Sequence, residues 1–184
     1  PSSFNGPGGS RGTSPAIPTF GSRDRLLQKG DLVLVDIGYG VNGYHSDKTQ
    51  IYCFGSRPPE QAEEAHQACL DVLRKTSEQL VVGAIPARIY QNIMADLPPV
   101  LQKNFMGYGH EQVPFLGHSI GLQVDELPVI ARSFNEPLKP GMVFAIEPKS
   151  GIEEIGLVGV EETFVVTPDG PECLTGGARE IMVV

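Results

Sequence analysis

The apolar positions fall into short runs separated by glycine and proline, a pattern of strands with two helical interludes. Residues 31–37 (Asp-Leu-Val-Leu-Val-Asp-Ile) read as a buried strand. Residues 38–43 supply turn chemistry ending in Asn42-Gly43, and residues 45–54 read as the partner strand of a hairpin. With its centre near Val41/Asn42, this hairpin sets Asp36 and Asp47 opposite one another. In residues 59–80, Ala62, Ala65, Cys69, Val72 and Leu73 recur at helical spacing. Residues 86–94 read as a shorter helix with Pro86 in its first turn, stopped by Pro98-Pro99. A Gly-rich irregular stretch, residues 105–115, leads to His118 between two glycines. The alternating apolar and acidic positions that follow, up to Glu126, read as a strand. Residues 141–148 and 159–167 are further apolar strands, with a short last one at 180–184. Residues 1–14 are Gly-, Ser- and Pro-rich and read as a flexible or loop segment, which leaves 15–184 as the folded domain.

At 184 residues the chain is one ordinary domain with enough sequence to bury a core. It has no apolar run of membrane-spanning length, so no membrane partner is expected. A formal net charge of -8 argues against nucleic acid, whose binders cluster Lys and Arg. Cys53, Cys69 and Cys173 lack CxxC spacing and read as buried, reduced thiols; with no leader pattern at the start, the expected location is cytoplasmic.

Part of the acidic excess sits in apolar strands, where an unpaired carboxylate is costly. Asp36, Asp47, Glu147 and Glu161 each interrupt such a run. For Asp36 and Asp47 two readings stand: each pairs with a basic group such as Lys48, or a cation lies between them. Burying Glu147 and Glu161 structurally calls for arginine, and few arginines lie near these strands. Four carboxylates beside His118 carry a charge near -4, which two divalent cations would neutralise. This oxygen-rich set with one imidazole suits Mn, Co, Fe or Zn better than a closed cysteine-type zinc site does. Such ions would lower the pKa of a shared water and hold it as hydroxide for attack on a carbonyl.

Five motifs now stand in order: residues 30–38 around Asp36, 43–47 ending in Asp47, 117–122 around His118, 141–148 ending in Glu147-Pro148, and 160–167 around Glu161. In order and spacing the sequence resembles the creatinase/prolidase/methionine-aminopeptidase group of metallopeptidases, closest in style to Xaa-Pro peptidases (prolidase, aminopeptidase P). The resemblance implies the pita-bread fold, an α/β (α+β) architecture with a curved, mainly antiparallel sheet covered by helices. It implies two divalent metal ions, Mn or Co first, Zn or Fe next. Asp36 and Asp47 would hold one ion, Asp47 and Glu161 would bridge, and His118 and Glu147 would complete the second. Glu147 and His118 are the implied catalytic residues, acting on the Xaa-Pro bond of a short peptide.

The sequence departs from the group's pattern in two places. Histidines that bind substrate are expected seventeen residues before the first Asp ligand and seven after the ligand His; here Thr19 and Asp125 stand there. An ionised Asp cannot donate to an oxyanion as an imidazole can. His110, His45, Tyr108 or a protonated Asp125 are the candidate replacement donors, and Glu126 is placed near the site mouth. An amide hydrolase of different substrate, or a catalytically silent peptide-binding homologue, are the alternative readings. The group's N-terminal helices are also missing, so the chain is expected to be the C-terminal catalytic part of a longer polypeptide. A homodimer, or association with an N-terminal fragment, would then complete it.

Overall fold

The computed structural model describes residues 26–184. The readings made for residues 1–14 and for Thr19 lie outside them.

The first elements of the described residues are a hairpin of β1 (Leu32–Val41) and β2 (Tyr44–Cys53). Its turn is Asn42-Gly43, with φ of 53° and 85°, the paired positive angles that a two-residue turn needs to match strand twist. Asp36 pairs with Thr49 and Asp47 with Gly38. The two acids are therefore diagonal neighbours on one face and not directly opposite. The turn lies one position later than the sequence suggested, and each such step moves the pairing by two.

Helix α1 (Glu60–Ser77) buries the expected stripe of Ala62, Ala65, Cys69, Val72 and Leu73. Helix α2 (Pro86–Ala95) follows with Pro86 in its first turn, and a single 3-10 turn, Pro99–Leu101, closes the helical part. Two short strands, β3 (Gly107–Tyr108) and β4 (Glu111–Gln112), pair within the stretch expected to be irregular. Then come β5 (Phe115–Ser119), β6 (Glu126–Ala131), β7 (Val143–Ile146), β8 (Lys149–Ile152), β9 (Gly156–Gly159), β10 (Glu162–Thr167), β11 (Gly170–Cys173) and β12 (Met182–Val183).

The strand expected across residues 117–126 ends at Ser119. Residues 120–125 bend, because Gly121 N–H donates to the Gln123 carbonyl and Gln123 N–H to the Glu126 carboxylate. Local side-chain bonding to the backbone wins over the alternating pattern here.

The main sheet is five-stranded and antiparallel, in the order β11-β10-β7-β5-β6. The first hairpin forms a second sheet, β1-β2-β12, in which β12 lies parallel to β2. Residues 143–167 make one long interrupted hairpin: Ile146 faces Glu162 in β7/β10, and Lys149 faces Gly159 in β8/β9, with unchanged register. The interruption falls at Glu147-Pro148 and Val160-Glu161, inside a segment expected to be a continuous strand. Helix α1 packs against β8 and β9, and α2 against β6. Phe144, Ile146, Val158 and Val160 join the helical stripe in one core. Cys53 and Cys69 are buried free thiols, while Cys173, on the edge strand β11, is exposed and corrects the expectation of three buried ones. Among the described residues no helix is long and apolar enough to cross a membrane.

Candidate metal centre

The two sheets meet where β2 passes the break in the long hairpin. Thr49 and Glu161 form an antiparallel bridge. Two residues away, Asp47 N–H donates to the Thr163 hydroxyl, which in turn donates to the Asp47 carbonyl, both at 2.8 Å. These contacts bring Asp47 beside Glu161. The side chain of Glu147 emerges at the end of β7, its N–H bonded to the Leu116 carbonyl. His118 stands on β5 opposite Ala145. The neighbouring Gly117 is required by contact: a Cβ there would lie 2.1 Å from the Ala145 carbonyl oxygen.

Asp47, His118 and Glu161, all buried, each offer a ligand atom within 4.8 Å of the others. His118 Nδ1 lies 3.0 Å from the Ser119 carbonyl, which can only accept, so this nitrogen carries the proton. Nε2 is left facing oxygens, 3.5 Å from Asp125 and 3.7 Å from Glu147. A lone pair among carboxylates is unfavourable unless a cation or a proton lies between them. The donor set therefore fits a divalent ion.

The electrostatics agree. Burial, then the charges of Glu161 and Asp36, push the Asp47 carboxyl up to about 9, partly opposed by Lys149. Burial also pushes Glu161 up to about 7; Glu147 and Asp36 add to the rise and Lys149 opposes it. Four acids are crowded beyond what one neighbouring ammonium compensates.

That ammonium was not anticipated. Lys149 is 1% exposed, and its Nζ lies 3.0 Å from Glu161, 3.1 Å from Glu147 and 3.4 Å from Asp36. Burial would lower its pKa, but the three carboxylates together raise it well above the usual lysine value. The sequence signal was present: in an extended segment, Lys149 falls two residues after Glu147 and so on the same face. The buried partner of Glu147 and Glu161 is this lysine and not an arginine. Lys48, the basic group suggested for Asp36 and Asp47, instead pairs with Glu162.

A cavity of about 540 Å³ adjoins the cluster, lined by Phe115, His118, Gln123, Asp125, Glu126, Leu127 and Val129. Asp125 and Glu126 thus lie at its wall. His110 and Tyr108 are exposed and do not line it. His45 is tied down through Nδ1 and its backbone N–H to the Gly121 carbonyl, outside the cavity lining.

Comparison with known proteins places this geometry in a family. Residues 9–168 match metallopeptidase family M24. A Xaa-Pro dipeptidase of Pyrococcus furiosus is 32% identical over 171 residues, which cover 93% of this chain and 47% of that protein. Among solved structures, dipeptidase PepE from Mycobacterium ulcerans is 33% identical with a TM-score of 0.77, over 97% of this chain and 45% of that one. X-Pro aminopeptidase from Thermotoga maritima is 27% identical with a TM-score of 0.74, over 91% and 45%. The fold is the pita-bread α+β fold, and the chain spans about half the length of the curated relatives it matches. By sequence and by fold, the chain belongs to metallopeptidase family M24.

Proposed function

We propose that this chain carries the catalytic site of a metal-dependent peptidase that hydrolyses the Xaa-Pro bond of short peptides, in the cytoplasm. The observation that carries the reading is the convergence of Asp47, His118 and Glu161 at ligand distance from one another, in a member of a metallopeptidase family. Relatives of this chain are described as Xaa-Pro dipeptidases.

In this reading Asp47, His118 and Glu161 hold a divalent ion, with Asp36 and Glu147 the remaining donors of the set. Manganese or cobalt suits these ligands first, zinc or iron next. When bound, the ion supplies Lewis acidity and lowers the pKa of water. Glu147, whose carboxylate lies 3.7 Å from His118 Nε2, accepts the proton of the attacking water and returns it to the departing proline nitrogen. Asp125 and Glu126 give the adjoining cavity a negative wall, which attracts the α-ammonium of a short peptide. Thr19 and Asp125 stand where oxyanion donors are expected, and His110 points into solvent. Turnover by this chain is accordingly slower by about 10²–10³ than a site with one such donor would allow. The exposed Ile37, Tyr39 and Val41 on β1 offer an apolar surface for a second copy or an N-terminal segment.

The test is hydrolysis of a panel of Xaa-Pro dipeptides and tripeptides by the Mn(II)-loaded chain. Activity that disappears in Asp47→Asn and in Glu147→Gln supports the reading. A loaded, folded protein inert on every Xaa-Pro peptide but active on a cyclic or guanidino amide would replace it.

A further inference from the structure

Lys149 does more than balance charge. An ammonium has three donors, and each of these has its own carboxylate: Glu161 at 3.0 Å, Glu147 at 3.1 Å and Asp36 at 3.4 Å. The stem is built in as well. Lys149 faces Gly159 across the β8/β9 ladder, and Gly159 has φ +146°. A Cβ at that position would lie 2.6 Å from Lys149 Cα and 2.7 Å from its Cγ. The opposing backbone is shaped around the lysine, and the side chain is 1% exposed.

Asp36 and Glu147 are the donors a second divalent ion needs beyond those of the Asp47–His118–Glu161 group. Both already face Nζ. A dication bound to the same oxygens would sit within a few ångströms of the ammonium, where like charges repel strongly. Of the three-residue group only Glu161 pairs with Lys149, whereas Asp47 and His118 make no ion pair with it and stay available to one ion.

We propose that Lys149 occupies one of the two cation positions of this centre, so that the chain holds a single divalent ion at Asp47, His118 and Glu161. The inference rests on the metallopeptidase reading for its ligand set and not for the substrate.

The experiment measures bound metal on the intact chain, stripped with chelator, reloaded with Mn(II) and freed of excess by gel filtration. Elemental mass spectrometry is expected to find one ion per wild-type chain and two per chain in Lys149→Ala, a twofold rise. Two ions in the wild type, or none, overturn the proposal. A folded Lys149→Ala that still holds one ion overturns it too. If that variant does not fold, anomalous scattering at the manganese edge from wild-type crystals decides. One peak among Asp47, His118 and Glu161 supports the proposal, and a second beside Asp36 and Glu147 overturns it. Because the readout is metal and not turnover, the two readings fail separately. One ion with no Xaa-Pro hydrolysis removes only the peptidase, whereas two ions with hydrolysis remove only the lysine's role.

Discussion

Thr49 and Glu161 exchange both backbone hydrogen bonds, at 3.2 and 3.3 Å, and the Thr49 hydroxyl donates to Glu161 Oε2 at 2.8 Å. One residue of the first hairpin thus orients a carboxylate of the second. Thr49→Val keeps the shape and removes the donor, and a hydrogen bond to a charged group is worth about 1.5–3 kcal/mol. Loss of such an orienting partner also lowers metal affinity by about 10–100-fold. Urea unfolding and Mn(II) titration of the variant check the two effects; unchanged affinity would show that Glu161 is held by other contacts.

Lys149→Met removes the charge and keeps most of the stem. Three carboxylates then face one another, and breaking a buried ion pair from one side costs about 3–5 kcal/mol. The loss is expected in the metal-free protein and to shrink on adding Mn(II), since an ion bound only by the folded chain stabilises it. The midpoint of denaturant unfolding, with and without metal, measures both.

Gly159→Ala brings a methyl group within 2.4 Å of the Pro148 carbonyl oxygen and forces an L-residue to φ +146°. Such a backbone position costs about 1–3 kcal/mol even before the clash. A lower melting temperature is expected, with bound Mn(II) rising above the wild-type level as Lys149 is pushed off its carboxylates. A variant as stable as the wild type would mean that β9 relaxes freely here.

His66 gives a pH dependence unconnected with the metal. It is buried on α1, with Nε2 donating to the Arg179 carbonyl at 2.9 Å and Nδ1 without a partner. Burial lowers its pKa below 6.5, against the opposing effects of that carbonyl and of Glu180. The unfolded chain therefore binds the proton more readily than the folded one. The stability this group contributes is complete above pH 6.5 and is lost as pH falls below it, towards the depressed folded value. Comparing unfolding free energies of wild type and His66→Gln at about pH 7.5 and about pH 5.5 should show a smaller loss in the variant. Equal losses would place the acid sensitivity elsewhere.

Much of this was legible beforehand because period and turn chemistry are local. The stripe on α1 and Pro86 at the start of α2 follow from residues a few positions apart. The acids could be listed because a carboxylate in an apolar strand advertises its cost. What was not legible depends on contacts between distant segments. The register of Asp36 against Asp47 turns on one residue of turn placement, and the break at Glu147-Pro148 on how β10 leaves the sheet. The bend at residues 120–125 is fixed by the Glu126 carboxylate, which an alternating pattern cannot reveal. Lys149 shares a face with Glu147 by spacing alone, but a lysine is among the residues least expected inside a core, and its burial follows from the carboxylates that distant segments bring to it.

Glu147, Lys149 and Glu161 ride on one hairpin, Asp36 and Asp47 on another, and the bridge at Thr49 with the Asp47–Thr163 bonds fastens the two. The site is thus a seam, with its negative charges pressed together along the join. Mutual repulsion works against such a seam, and a divalent cation held among these carboxylates would act as its rivet. Hydrogen exchange at the Thr49 and Glu161 amides should accordingly slow together when Mn(II) is added, while amides in the middle of α1 keep their rates.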